Sequence, residues 1–424
     1  MSEMARSHSI LRRMGLGVFK HLIPDESIED QCRQWHPKMR RRAFTVATLL
    51  GLLTVAQLEN VTHAVEELLS RRWSRLRHRY DLSHVARPVT RQAFSWRLKT
   101  VPWQIFRGLL STLFAGFSEL ANPGPDLYHN FFTVQAIDGS VVDVAARLLK
   151  TWAGLPGRGG GPSRRAQARV HTMFNVSLGV PTMVTVTGAK RSERRQARKL
   201  LLEAQKQGPT ILVTDLGYFG FDFFAWLTKA GIWFVARLKG RTRYRTLKRF
   251  GRRDYLVQVG VSAKGQTQVI LRLVGIREGR QIYWYLTNLM PQHGITPQDV
   301  RVIYKKRWSV ELFFKSWKHA LRGAKFFCYN ANGIKIQIYA SLCAFVITKM
   351  LVVRAAQRYG FDPNLIGFDR AAAIVRCWIY EYWDRLWCLR PRRKHFDVVL
   401  ERIAVFAATL RKPETAHRHQ KLRA

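Results

Sequence analysis

The chain has 424 residues, 47% hydrophobic and 12% aromatic, which allows two or three domains with a sizeable core and excludes a disordered polymer. Lysine and arginine outnumber aspartate and glutamate 71 to 28, giving a formal charge of +43. Such self-repulsion calls for a polyanion, so nucleic acid is the first partner class and an anionic membrane surface the second.

Residues 1–35 are basic and carry no strong pattern, and no signal peptide stands there. From Pro37 to about Leu120 the periodicity is helical, in runs at 43–57, 63–79 and 103–120. Val89–Phe94 opens a short basic helix with Thr90 as its cap, suited equally to a DNA groove and to plain core packing. Residues 1–128 are therefore expected to form an α-helical, DNA-binding domain that ends at the Asn122-Pro123-Gly124-Pro125 cluster.

An α/β pattern follows. Residues 131–137 read as a buried strand running into a tight turn at Asp138-Gly139-Ser140, with a returning strand at 141–145. The Gly157–Gly161 run reads as a mobile surface loop, because it lacks the G-K-[ST] and strand–loop–helix context of a phosphate loop. Strands are expected near 170–178 and 180–186, and a helix at 193–207. A strand at 210–214 then ends in Asp215-Leu216-Gly217-Tyr218. A helix at 219–230 leads to a strand at 233–236 and the basic Arg237-Leu238-Lys239. Residues 240–292 break the alternation with three or four antiparallel strands, including 255–261, 267–274 and 282–286, and read as a β-rich insertion.

One long helix is predicted over 296–323, with Thr296 as N-cap, Pro297 at the first position, Asp299 closing a capping box and Gly323 as the stop. At about 100° per residue, Tyr304, Arg307, Glu311, Lys315 and Lys318 share a polar stripe beside an apolar one of Ile303, Val310, Phe314, Trp317 and Leu321. Glu311 is the single acid on that stripe. The remaining chain is helical with a basic tail. Its apolar run at 338–353, like that at 43–56, is short or interrupted (here by Lys349), so both read as buried helices and no membrane partner is expected. The five cysteines show neither a C-x-x-C pair nor zinc spacing, and are expected to be reduced core thiols of a cytoplasmic protein.

Asp138, Asp215 and Glu311 come from separated elements within a basic field. Three such carboxylates suit two Mg²⁺ ions, which favour oxygen ligands and substrate phosphates and serve in-line displacement at phosphorus. Asp143 and Asp222 lie close in sequence but read as surface or supporting acids.

The spacing Tyr304-x2-Arg307-x3-Glu311-x6-Lys318 resembles the signature of a large group of bacterial insertion-sequence DDE transposases. Ala136-Ile137-Asp138-Gly139-Ser140 and Thr214-Asp215-x-Gly217-Tyr218 resemble the segments carrying that group's two aspartates. Arg237-Leu238-Lys239 and Leu286-Thr287-Asn288-Leu289 resemble those flanking its β-rich insertion. The resemblance covers roughly residues 130–345. It implies an RNase H-like catalytic core at 129–345 with the insertion at about 240–292, an α-helical N-terminal domain before it and a helical C-terminal region, 346–424, after it.

The activity implied is cutting at the inverted-repeat ends of an element and joining the 3′-OH ends to target DNA. Asp138, Asp215 and Glu311 would bind two Mg²⁺ ions, with Mn²⁺ able to substitute. Tyr304, Arg307 and Lys318 would hold phosphates, with Lys315, Arg237 and Lys239 as further DNA contacts. Trp308 and Trp284 are candidates either for stacking on a flipped base or for core packing. The partners implied are double-stranded DNA, as element ends and target, and a second copy in a homodimer that pairs two ends, all in the nucleoid-associated bacterial cytoplasm. Two alternatives stand beside this: an RNase H-like nuclease without strand transfer, and a catalytically inactive DNA-binding regulator.

Overall fold

A computed structural model describes residues 25–37, 46–59, 90–121, 133–156, 161, 163–205, 208–260, 267–321, 323–326, 328–386 and 394–409. The expected helix at 63–79, the 122–125 boundary, nearly all of the Gly157–Gly161 loop and most of the basic tail lie outside the described residues. The chain divides into two compact units, residues 123–314 and residues 1–122 with 315–424.

The 123–314 unit is built on a nine-stranded mixed sheet. Its strands are β1 (Thr133–Asp143), β2 (Gln167–Asn175), β3 (Val180–Gly188), β4 (Thr210–Thr214), β5 (Trp233–Arg237), β6 (Tyr244–Gly251), β7 (Asp254–Val259), β8 (Val269–Glu278) and β9 (Gln281–Thr287), in the spatial order β3-β2-β1-β4-β5-β9-β8-β7-β6. β1, β4 and β5 are parallel and every other pairing is antiparallel. All five residues of β4 are buried, as an inner strand covered on both faces requires. On one face Ile137, Leu212, Phe234 and Ala236 share a core with Leu200, Leu201, Phe223, Phe224 and Leu227. The last five sit on two helices, Glu193–Ala204 and Phe221–Lys229. On the other face Val134, Ile211, Val213 and Val235 pack against Val300 and Ile303.

Two expectations are corrected, and a third, the three or four strands of the insertion, is met with four. The turn at Asp138-Gly139-Ser140 does not form: β1 runs through it, paired with β2 from Gln135–Asn175 to Asp143–Gln167. Gly139 is instead a gap in the side-chain layer, since a Cβ there would lie 3.3 Å from Cδ of Arg169 on the neighbouring strand. The insertion gains β6, whose first seven residues are all exposed, and its strands extend the main sheet. The long helix is two helices, Pro297–Lys305 and Trp308–Ala320. At the joint the amides of Lys306, Arg307, Ser309 and Val310 bond three residues back, at 3.0–3.2 Å. Tightened turns of this kind interrupt an α-helix without breaking its apolar stripe; Ile303, Val310 and Phe314 remain buried.

The start of the first of these helices is as expected. Asp299 N–H donates to Thr296 Oγ1 at 3.2 Å, and Thr296 N–H donates to Asp299 Oδ2 at 2.8 Å. The segment before it is tied to the insertion by Arg272, which is 1% exposed. Its Nε and Nη2 donate to Asp254 at 2.9 and 2.7 Å, and Nη1 donates to the Leu289 and Ile295 carbonyls at 3.2 and 2.7 Å. Every formal charge in that buried group has a partner, as burial demands.

The second unit is helical. Its centre is Ala331–Tyr359, a 29-residue helix whose most apolar window is 94% buried. By length and composition it could cross a membrane, but its apolar surface is taken up by protein. Val46–Glu59, Arg91–Thr100, Trp103–Ala121, Phe368–Leu386 and Lys394–Thr409 pack against it. Thr90 caps Arg91–Thr100 by accepting from Ala93 N–H at 3.1 Å. Cys328 and Cys343 are core thiols, whereas Cys32 is half-buried and Cys377 exposed, contrary to expectation.

Candidate active site

The strand register brings the two aspartates together. β1 and β4 pair in parallel up to Ala136–Val213, so Asp138 and Asp215 stand two residues further along adjacent strands. Alternation puts Asp138 on the face of Val134 and Asp215 on that of Val213, the face covered by Pro297–Lys305. Asp138 Oδ1 accepts from Gly139 N–H at 2.7 Å, and Asp215 Oδ1 accepts from Gly217 N–H at 3.0 Å. The Oδ2 atom of each is left outside the hydrogen bonds of the described residues.

Burial pushes the Asp138 carboxyl up to about 6, against the Gly139 amide and Arg307, with the charges of Asp215 and Glu311 adding to the rise. Glu311 is therefore close enough to Asp138 for its charge to act there. Its Oε1, however, accepts from Arg307 Nη1, one helical turn back. Among the described residues no three His, Cys, Asp or Glu side chains are gathered closely enough to hold a metal ion. The chemistry of the donor set suits a hard divalent cation, and the aspartate pair fits one; Glu311, as it stands, does not complete the set.

An acid whose folded pKa exceeds its unfolded one, about 6 against about 4, costs stability above pH 6 and nothing below about pH 4. Asp138→Asn should therefore stabilise the metal-free protein at pH 7.5 by on the order of 2 kcal/mol, the gain shrinking to nothing toward pH 4. Denaturant unfolding at the two pH values checks this, and a loss of stability at pH 7.5 would contradict the clustering.

The surrounding predicted residues divide into groups. The Tyr304 ring lies 5.0 Å from Tyr285, and the Arg307 guanidinium stands 5.9 Å from the Tyr304 ring. Arg237 lies 5.1 Å over Tyr283, near enough to Tyr304 to act on its hydroxyl. Lys239 lines a cleft of about 500 Å³ with Phe219, Asp222, Arg241 and Arg243, which includes none of the three acids. Trp308 is 56% exposed at the start of its helix, so core packing is not its role, whereas Trp284 is half-buried against Tyr255 and over Gly275. Lys315 and Lys318 lie in the last turns of Trp308–Ala320, beyond the division between the units; Lys315 is exposed and Lys318 half-buried. Asp143 bonds Gln167 and faces Arg165, while Asp222 pairs with Arg194 and Arg198, so both are committed elsewhere.

Sequence reasoning assigned nothing to the opposite face of the sheet. There Arg169 pairs with Glu193 and passes beneath Gly139, and the buried Tyr218 hydroxyl, with no hydrogen-bond partner among the described residues, lies in the fields of Asp138 and Asp215. The signal available was Glu193, the first acid after Asp143.

A family profile described as "Transposase DDE domain" matches residues 129–347. A putative transposase for insertion sequence element IS4SA, from Synechocystis sp., is 26% identical over 192 residues. That match takes in 44% of this chain and 54% of the relative, so the chain spans about half that protein's length. A probable transposase for insertion sequence element IS5377, from Geobacillus stearothermophilus, is 22% identical over 373 residues, covering 83% of this chain and 89% of the relative. Among solved structures, a piggyBac transposase synaptic complex with hairpin DNA aligns over 91% of this chain and 84% of its own, at a TM-score of 0.42 and 11% identity, too remote to argue from.

Proposed function

Because the chain belongs to the transposase DDE domain family, we propose that it binds the inverted-repeat ends of an insertion sequence, cuts them and joins the 3′-OH ends to target DNA. In this reading residues 129–345 are an RNase H-like catalytic domain with its insertion at about 240–292. The helical residues up to 128 recognise the ends, and residues 346–424 form a helical C-terminal region. The observation that carries it is the β1–β4 register, which sets Asp138 and Asp215 side by side, each with one oxygen uncommitted among the described residues.

Asp138, Asp215 and Glu311 would hold the divalent metal, Mg²⁺ with Mn²⁺ as substitute. Two such ions, when bound, activate the attacking oxygen and stabilise the leaving one. Tyr304, Arg307, Lys318 and Arg237 orient the DNA backbone, whose phosphates match guanidinium donors in geometry and charge. Lys315, Trp308 and Lys239 are further DNA contacts. Two copies in a homodimer pair the two ends.

The test supplies Mg²⁺, linear DNA ending in the element's inverted repeats and a supercoiled target plasmid. Products covalently joined to the target are expected. Cut ends with no joined product would replace transposition by simple hydrolysis, and no cutting at all would leave a DNA-binding regulator.

A further inference from the structure

Glu311 is close enough to Asp138 for its charge to act there, yet commits one carboxylate oxygen to Arg307. We infer that Arg307 is a latch: it holds Glu311 out of the metal site until a DNA phosphate takes the guanidinium, so that metal binding is completed only on DNA. This rests on the reading of Asp138, Asp215 and Glu311 as the metal-binding set.

Three observations carry it. The first is the ion pair itself, formed one turn apart on a partly exposed helix surface. Pairs of that kind are weak, and an anion with better geometry displaces them readily. A phosphodiester is such an anion, since a guanidinium meets it with two parallel donors. The second is that Arg307 lies within the fields of both Asp215 and Asp138, so the residue that would receive the phosphate borders the carboxylates that would receive the metal.

The third is the joint. Arg307 sits in the tightened turns between Pro297–Lys305 and Trp308–Ala320, where amides bond three residues back. Returning those turns to the four-residue pattern would rotate the start of the second helix, which carries Glu311, relative to the first. The first is fixed at its N-terminal end by the Thr296–Asp299 capping box and by the Arg272 bonds to Leu289 and Ile295. The joint, and not the anchored start of the first helix, is therefore where the acid can be re-aimed.

Coupling of this kind is reciprocal: whatever factor DNA contributes to metal affinity, metal contributes to DNA affinity. Calorimetric titration of the full chain with Mn²⁺, alone and with a short duplex of random sequence, measures it. The duplex should tighten Mn²⁺ binding by on the order of tenfold, within the usual range of such couplings. Arg307→Met should reach a comparable affinity without DNA, and the duplex should then add little. Glu311→Gln should weaken the DNA-free affinity far less than Asp138→Asn does and remove the increase.

Wild-type affinity in Arg307→Met would overturn the latch. So would a Glu311→Gln variant weakened without DNA as much as Asp138→Asn, because Glu311 would then be a ligand already. That second result leaves the triad standing. Full cleavage by Glu311→Gln would instead remove the triad on which the latch depends.

Discussion

Glu311→Gln is expected to abolish both the cutting of element ends and the joining of ends supplied already cut. The amide is nearly isosteric, so Val310, Phe313 and Phe314 on either side stay packed. Loss of the ion pair with Arg307 changes stability little, because one-turn pairs at partly exposed positions contribute only about 0.3–0.5 kcal/mol. DNA binding should persist or improve, since a negative charge is gone and Arg307 is released. What disappears is an anionic oxygen beside the aspartate pair, and both reactions would draw on it. A fall on the order of 10³-fold or more is the scale for a charged group acting at the reacting atoms. Gel assays on intact and pre-cut substrates measure the two steps separately. Normal joining of pre-cut ends would show that Glu311 serves no shared role.

DNA affinity should fall steeply with salt. Nine Lys and Arg residues stand between Arg237 and Arg253, with no acid until Asp254, and Asp254 is buried against Arg272. Tyr244–Phe250 within that stretch is exposed throughout. With formal charge +43 over the chain, contacts to six or more phosphates are expected. Counterion release then predicts a loss of on the order of 10³-fold or more in affinity between about 50 and 200 mM salt. Fluorescence anisotropy on a labelled duplex across that range gives the slope. A flat response would mean that these charges do not meet the phosphate backbone.

Patterns that single residues enforce were legible in the sequence. Thr210–Thr214 is apolar or β-branched at every position because helices cover both faces, and its end at Asp215 follows from the loss of that pattern. The capping box at Thr296 was readable because two side chains and a proline specify it locally. What escaped depends on neighbours distant in sequence. Gly139 looks like a turn former until Arg169 is seen crossing beneath it. β6 has no apolar alternation, since both its faces are open, so periodicity carries no trace of it. The joint at Lys306–Arg307 leaves the apolar stripe intact and was invisible for that reason. The convergence of Asp138 and Asp215 was expected from the sequence; what its pattern does not contain is the β1–β4 register that produces it.

The helical unit is discontinuous along the chain: Val46–Glu59 and Trp103–Ala121 pack on Ala331–Tyr359, which follows them by more than two hundred residues. At bacterial translation rates of about 5–20 residues per second, the early helices leave the ribosome on the order of ten seconds or more before their partner exists. A nascent chain therefore carries apolar surface with nothing to cover it, a state that chaperones recognise and proteases remove. A gene copy interrupted anywhere before Ala331 would lose the core of its first segment along with its last. In its product the early helices would lack the long helix they pack against, whereas residues 123–314 would keep the core of their own sheet.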